Sequence, residues 1–287
     1  MSDKIYMEQN IGSHPTDVSY RNFYEHYRAS MYAALYDTVE IFKRKYIIRL
    51  LQNKLNQHTK ILDIGAGSGI MGEATLNPNN YFCMDIAFNR IKLHSLYTKI
   101  KGCSNLSIQG DACVLPIKNK SFDIVFCIET LEHIKYDREA LKEINHILNA
   151  NGKLLLTIPY DEKPVKELSA SNSHINTYNE NIIKKLALES GFSIEKIVFI
   201  SKIVYLCWTL PKHIIYLLWL SFTGRLLKRL KGIEVPSYYN TTIHRKFILP
   251  VSMFILRFIN SLGLAYTKTP YTFCGKAPGM IVILKKQ

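Results

Sequence analysis

The stretch Lys60–Gly72, KILDIGAGSGIMG, decides how this 287-residue chain is read. A short apolar run ends in a cluster of glycines, and the cluster can be framed in two ways. Gly65, Gly67 and Gly69 form G-x-G-x-G. Moved by two residues, Gly67, Gly69 and Gly72 form G-x-G-x-x-G, the pattern of dinucleotide loops. Either frame serves the same physical end, a sharp turn off a strand that lets a ligand approach the backbone at a helix N-terminus. The glycines alone leave the ligand open.

The register of the loop narrows the choice. The strand ends at Gly65 directly after LDI, so G-x-G-x-G is the frame at the strand's carboxyl end, with Asp63 at the tip. A carboxylate there can face a cationic ligand group, whereas it would oppose a pyrophosphate electrostatically. Asp85, 22 residues after Asp63, ends the next strand and suits ribose hydroxyls in either kind of site.

Outward from the loop, short apolar runs alternate with longer amphipathic ones. Strands are expected at Ile61–Ile64, Tyr81–Met84, Leu106–Gln109, Phe122–Ile128, Gly152–Ile158 and Ser193–Ile200, with a last strand in GMIVILKKQ. Helices are expected at Asp137–Ala150, closed by Asn151-Gly152, and at Glu180–Ser190, between an Asn179 cap and Gly191. This alternation predicts an α/β fold with a mainly parallel, doubly wound sheet. Residues 1–57 read as an N-terminal helical cap with a long helix ending near Leu55, and residues 58–200 as the core. Residues 201–278 read as a helical, basic and apolar insertion before a final core strand at 279–287.

Residues 110–134, GDACVLPIKNKSFDIVFCIETLEHI, follow the glycine loop in order. Together with LDIGAGSG they closely resemble the class I S-adenosylmethionine-dependent methyltransferases, in particular the type 11 group related to quinone-biosynthesis enzymes. The resemblance spans about residues 58–200 and implies a Rossmann-like methyltransferase sheet. It also implies that Asp63, Gly65, Ala66, Gly67 and Gly69 cradle the methionyl and adenosyl parts of S-adenosylmethionine. By the same resemblance Asp85 takes both ribose hydroxyls, Asp111 and Ala112 contact adenine, and Glu129 lies beside the methionyl end.

Methyl transfer from a sulfonium is an in-line displacement, so placing the acceptor accounts for much of the catalysis. A base is needed only where the acceptor carries a proton at neutral pH. The fourth strand runs into CIET, not into an N/D-P-P-Y/F signature, which argues against exocyclic-amine methylation of DNA or glutamine; no Pro-Cys pair is present for pyrimidine C5 chemistry. His133 and His174 are the base candidates. Glu129, Glu132 and His133, at i, i+3 and i+4, share one side of a helical turn. With His174 they offer two carboxylates and two imidazoles to a divalent ion, a set that resembles the metal sites of ubiquinone O-methyltransferases and small-RNA 2′-O-methyltransferases. The plainer expectation is no metal, with Glu132 and His133 opening a helix and hydrogen-bonding locally.

Charge is concentrated at the C-terminal end. Residues 197–287 hold 13 Lys/Arg against one acid, Glu234, a net +12 of the chain's +14. Two apolar runs, Ile203–Phe222 and Phe247–Tyr266, flank GRLLKRLK, and each is broken, by Pro211-Lys212-His213 and by Arg257 and Asn260. A cation at mid-bilayer costs roughly 2.5–3.5 kcal/mol on insertion scales, so neither run makes a good span. Basic residues among apolar anchors, Trp208 and Trp219, suit a helix lying on an anionic membrane surface, and an all-α cap or subunit contact is the alternative. The six cysteines have no metal-site spacing, and the polar first ten residues lack a secretory h-region; both fit a cytoplasmic protein. The expected acceptor is a small, lipophilic or membrane-associated molecule. RNA is less favoured, because the basic residues flank apolar runs instead of alternating with exposed aromatics. A catalytically silent binding protein is opposed by the intact loop, Asp85 and the G-D-A motif.

Overall fold

The computed structural model describes residues 38–51, 55–67, 69, 71–72, 77–100, 106–164, 174–201, 266–268, 271–272 and 275–287. In chain order the elements are α1 (Thr38–Leu51), β1 (Ile61–Ile64), β2 (Tyr81–Asp85), α2 (Phe88–Ile100), β3 (Ser107–Gln109), β4 (Phe122–Ile128), α3 (Asp137–Ile147), β5 (Leu148–Pro159), α4 (Glu180–Glu189) and β6 (Phe192–Ile200). Short strands β7 (Tyr266–Thr267), β8 (Tyr271–Thr272) and β9 (Gly275–Lys276) precede the long β10 (Gly279–Lys286).

Eight strands form one sheet in the order β3-β2-β1-β4-β5-β10-β6-β7, and β8 pairs with β9 separately. β1, β2, β3, β4 and β5 are parallel, each register running through the strand interior, such as Asp63 opposite Cys83 and Phe126. β10 enters antiparallel between β5 and β6. Strands covered on both faces read as continuous apolar runs, which is why the parallel β4 (FDIVFCI) and the antiparallel but central β10 (GMIVILKK) are so hydrophobic. One face packs on α3 and α4 through Leu141, Ile144, Ile183 and Ala187; the other carries Ile47 and Leu51 of α1 against Phe126, Leu155 and Ile281.

The order places β1 between β2 and β4, so the chain leaves β1 toward one edge and returns to build the other. That reversal opens a crevice above the carboxyl ends of β1 and β4, the usual ligand position in open α/β sheets. The site is fixed by topology before any side chain is considered.

The expected α/β architecture and all seven expected strands are present, with boundary differences that have local causes. The helix predicted to reach Ala150 ends at Ile147. The N–H groups of Lys120 and Ser121 take the carbonyls of His146 and Ile147, at 3.0 and 2.7 Å, and Leu148 pairs with Phe122, so the chain is already strand. Asn151, at φ +63, turns the excursion that returns at Lys153. α4 follows its caps, with the Asn179 side chain accepting the Ile182 N–H at 2.9 Å and Gly191 at φ +77. Of the helix expected to end near Leu55, Thr38–Leu51 is described as helix, residues 52–54 lie outside the described residues, and Leu55 is not helical.

Most of the insertion predicted for 201–278 lies outside the described residues, as do the tyrosine-rich segment before residue 38 and Cys103, Cys207 and Cys274. Its described end is not helical as expected. Tyr266, the last residue of the apolar run Phe247–Tyr266, belongs to β7, which extends the sheet edge by pairing with Ile200, and β8 and β9 pair antiparallel. Cys83, Cys113 and Cys127 are buried free thiols.

Candidate active site

The loop after β1 turns on three glycines in succession. Gly65, Gly67 and Gly69 have φ of +68, +55 and +71, a region that L side chains enter only at a cost, while Gly72 shows no such angle. The alternation at 65, 67 and 69 is the G-x-G-x-G frame. Gly72, the last glycine of the rival frame, instead lets the Tyr81 ring pack close to its backbone.

The three glycines have different surroundings. A Cβ at Gly65 would overlap the Thr130 side chain, and one at Gly69 would overlap the His94 ring. A Cβ at Gly67 would meet nothing within 4 Å, so the loop is open at that residue. Asp85 reaches across from β2: its Oδ2 accepts the Gly67 N–H at 2.9 Å and its Oδ1 the Ala87 N–H at 2.9 Å.

Under the loop lies a buried polar layer that the sequence reading missed. Tyr81 donates its hydroxyl hydrogen to Asp63 Oδ2, Cys83 Sγ lies 3.2 Å from His94 Nε2, and His94 Nδ1 is 2.5 Å from Ser107 Oγ. Asp63 is only 2% exposed, and burial pushes its carboxyl up to about 7, partly offset by the Tyr81 bond and reinforced by nearby Asp85. Asp111 Oδ1 accepts the Cys113 N–H at 2.8 Å and closes the turn that presents Ala112, beside Gly110, whose N–H goes to the Asp85 carbonyl at 3.1 Å.

The carboxyl end of β4 supplies the other wall. Glu129 has φ +49, a strained value for a glutamate, and its N–H is shared between the Thr157 carbonyl and hydroxyl, each at 3.0 Å. Its Oε1 accepts Thr157 Oγ1–H at 2.9 Å and Lys43 Nζ–H at 3.2 Å. Burial alone would raise the Glu129 carboxyl, but Lys43 and Thr157 outweigh it and hold the group below the ordinary carboxylate range. The expected helical turn carrying Glu129, Glu132 and His133 together is not formed. Only Leu131–His133 make a 3-10 turn, and Glu129 belongs to the strand end, because its left-handed backbone redirects the chain between them.

Glu132, His133 and His174 do converge, offering donor atoms all within 4.8 Å of one another. The His133 and His174 rings meet edge to face with centroids 5.0 Å apart. The loop bearing His174 is tied down by backbone bonds: the N–H groups of Ile175 and Asn176 donate to the Glu132 carbonyl at 2.8 and 3.0 Å, and Asn176 Nδ2 donates to the Ile134 carbonyl at 2.9 Å. The Glu132 side chain itself is fully buried, and neither of its oxygens has a hydrogen-bond partner among the described residues. Burial, with Glu129 nearby, raises its carboxyl well above the usual range. Such a group is costly as an anion unless it is protonated or meets a cation.

The glycine environments predict different stabilities. Gly67→Ala adds only a left-handed alanine, about 1–2 kcal/mol. Gly69→Ala adds overpacking against a buried ring, about 1–3 kcal/mol more. Urea unfolding should rank Gly69→Ala as the less stable; equal losses would contradict the packing of His94 under the loop.

Comparison with known proteins agrees with this geometry. Residues 62–156 match the family model described as a methyltransferase domain. The uncharacterized methyltransferase YcgJ of Bacillus subtilis is 33% identical over 121 residues, covering 41% of this chain and 47% of that protein. A ubiquinone biosynthesis O-methyltransferase of Rickettsia canadensis is 25% identical over 116 residues, covering 39% and 49%. The alignments thus span about half the length of these curated relatives. Among solved structures, a putative sarcosine dimethylglycine methyltransferase from Galdieria sulphuraria superposes with a TM-score of 0.54 over 86% of each chain at 16% identity, a likeness of fold. Matched sequence, strand order and glycine loop together mark residues 62–156 as a methyltransferase domain.

Proposed function

We propose that the protein methylates a small, lipophilic or membrane-associated acceptor, using S-adenosylmethionine as donor. One observation carries this reading: the open glycine loop, Asp85 and Glu129 converge on the crevice above β1 and β4, with His133 and His174 at its rim. The residues fit the donor. Gly67 leaves its side of the loop clear, Asp85 places a carboxylate against the loop where it would meet the ribose hydroxyls, and Glu129 is held ionised for a methionyl ammonium. When bound, the donor supplies a methyl group already activated on a sulfonium. The chain's own task is then to orient the acceptor and, for a hydroxyl, to take its proton on His133 or His174.

The lipophilic acceptor is supported by two things. The Rickettsia relative is named for ubiquinone biosynthesis, and the C-terminal third of this chain combines apolar runs with a net charge of +12. Among the described residues no helix is long and apolar enough to cross a membrane. In this reading the chain works on the cytoplasmic side, with its basic segment 201–278 attached peripherally to an anionic bilayer. Surface attraction is worth ~1 kcal/mol per basic residue near the headgroups. Replacing Arg225, Lys228, Arg229 and Lys231 together should release the protein from phosphatidylglycerol vesicles in co-sedimentation. Wild type left in the supernatant at low salt would make this segment a substrate cap or subunit interface.

A second reading concerns a divalent metal, which the sequence did not favour. It is supported by the buried Glu132, which has no hydrogen bond among the described residues and whose Oε1 lies 3.9 Å from His133 Nε2, with His174 beside them. These three residues would hold the ion, which would lower the pKa of an acceptor hydroxyl. Protein dialysed against Mn²⁺ should retain about one ion per chain by elemental analysis, and Glu132→Gln should abolish retention. No retention by wild type returns Glu132 to the role of a neutral buried acid.

For the donor, titration calorimetry should show S-adenosylmethionine binding, weakened by Asp85→Ala by about 2 kcal/mol, roughly 30-fold. Binding of NADH without S-adenosylmethionine would contradict the assignment. The acceptor class is tested by mass spectrometry of lipids from cells with and without the protein, read for a methyl-sized difference of about 14 daltons.

A further inference from the structure

We infer that Lys43, from the N-terminal helix, is a positioning residue for the amino-acid end of the donor, acting through Glu129; the inference rests on the functional reading above. Residue 43 lies outside the family-matched segment 62–156, and no motif in the chain points to it.

Placement on the helix is the first argument. Lys43, Ile47 and Leu51 stand at i, i+4 and i+8, so they form one stripe along α1. Ile47 and Leu51 are fully buried against the sheet, in a cluster with Ile61, Phe126 and Leu155. A third apolar residue would extend this stripe at no electrostatic cost. Instead this position of the stripe holds a lysine whose side chain is 3% exposed, at the carboxyl end of β4 where the site lies. Burying an ammonium is unfavourable unless it is paired, and its partner here is the site carboxylate itself.

The second argument is the division of labour on Glu129. Lys43 Nζ and Thr157 Oγ1 both donate to the same oxygen, Oε1. Held from α1 on one side and β5 on the other, the carboxylate cannot rotate freely. Its side chain is 39% exposed, which leaves Oε2 as the oxygen able to receive a ligand's N–H. Lys43 thus fixes the direction of the carboxylate and keeps it charged, while the strained backbone of Glu129 sets its position.

The prediction separates positioning from folding by the choice of ligand. S-adenosylhomocysteine carries the amino-acid end; 5′-methylthioadenosine has the same nucleoside and sulfur without it. In calorimetry, Lys43→Met should weaken S-adenosylhomocysteine and S-adenosylmethionine by about tenfold or more and leave methylthioadenosine within about twofold. Lys43→Arg should restore most of the loss, and Thr157→Val, from the opposite side of the same oxygen, should reproduce the selective pattern. Parallel loss of all three ligands in both Lys43→Met and Thr157→Val would overturn the inference, since it marks a merely structural role. Unchanged binding in Lys43→Met overturns it alone. A wild type that binds none of the three overturns the functional reading, and the inference with it.

Discussion

The chain leaving β1 must turn away from the sheet at once, without filling the space above the strand ends. Everything else at the site depends on meeting that requirement. Three glycines with positive φ make the turn, and their tolerance for that backbone is only part of the reason they are needed. Gly65 makes room for Thr130 at the end of β4, and Gly69 makes room for His94 of α2. Gly67 alone faces open space, so the same loop that packs tightly at its two flanks is bare at its centre. The crevice follows from the strand order, and its emptiness follows from the glycines.

Around this loop the protein concentrates buried charge. Asp63, Glu132 and Lys43 are removed from water and Glu129 is partly so, each in a different state of compensation. Asp63 has the Tyr81 hydroxyl, Glu129 has a cation and a hydroxyl, and Glu132 has neither. The contrast between Glu129 and Glu132 is chemically useful. The carboxyl of one is pulled below the usual range and the other is pushed above it, so neighbouring acids on one short segment carry different charges at the same pH. Pairs whose environments drive their titrations apart are what acid–base and cation-binding sites are built from.

How much of this was legible in the sequence depended on the range of the interaction. The loop frame could be read because β1 ends beside it, and α4 because Asn179 and Gly191 stand at its two ends. The strands could be read because buried parallel strands are continuously apolar. Lys43 could not be found in this way: its partner is 86 residues distant, and as a sequence feature it is one lysine in a helix. His94 was hidden for the same reason, since its partners Cys83 and Ser107 come from two strands that only the sheet brings together. The predicted turn grouping Glu129 with Glu132 and His133 failed on a single backbone angle, the positive φ of Glu129, which residue spacing does not encode.

The central claim is that the bare centre of the glycine loop, Asp85 and Glu129 form one donor site. A crystal structure with S-adenosylhomocysteine tests it most directly. The account predicts the nucleoside over Gly67, both ribose hydroxyls on the Asp85 carboxylate and the amino group on Glu129 Oε2. A ligand whose ribose lies away from Asp85, or whose amino group is held elsewhere than at the end of β4, would contradict it.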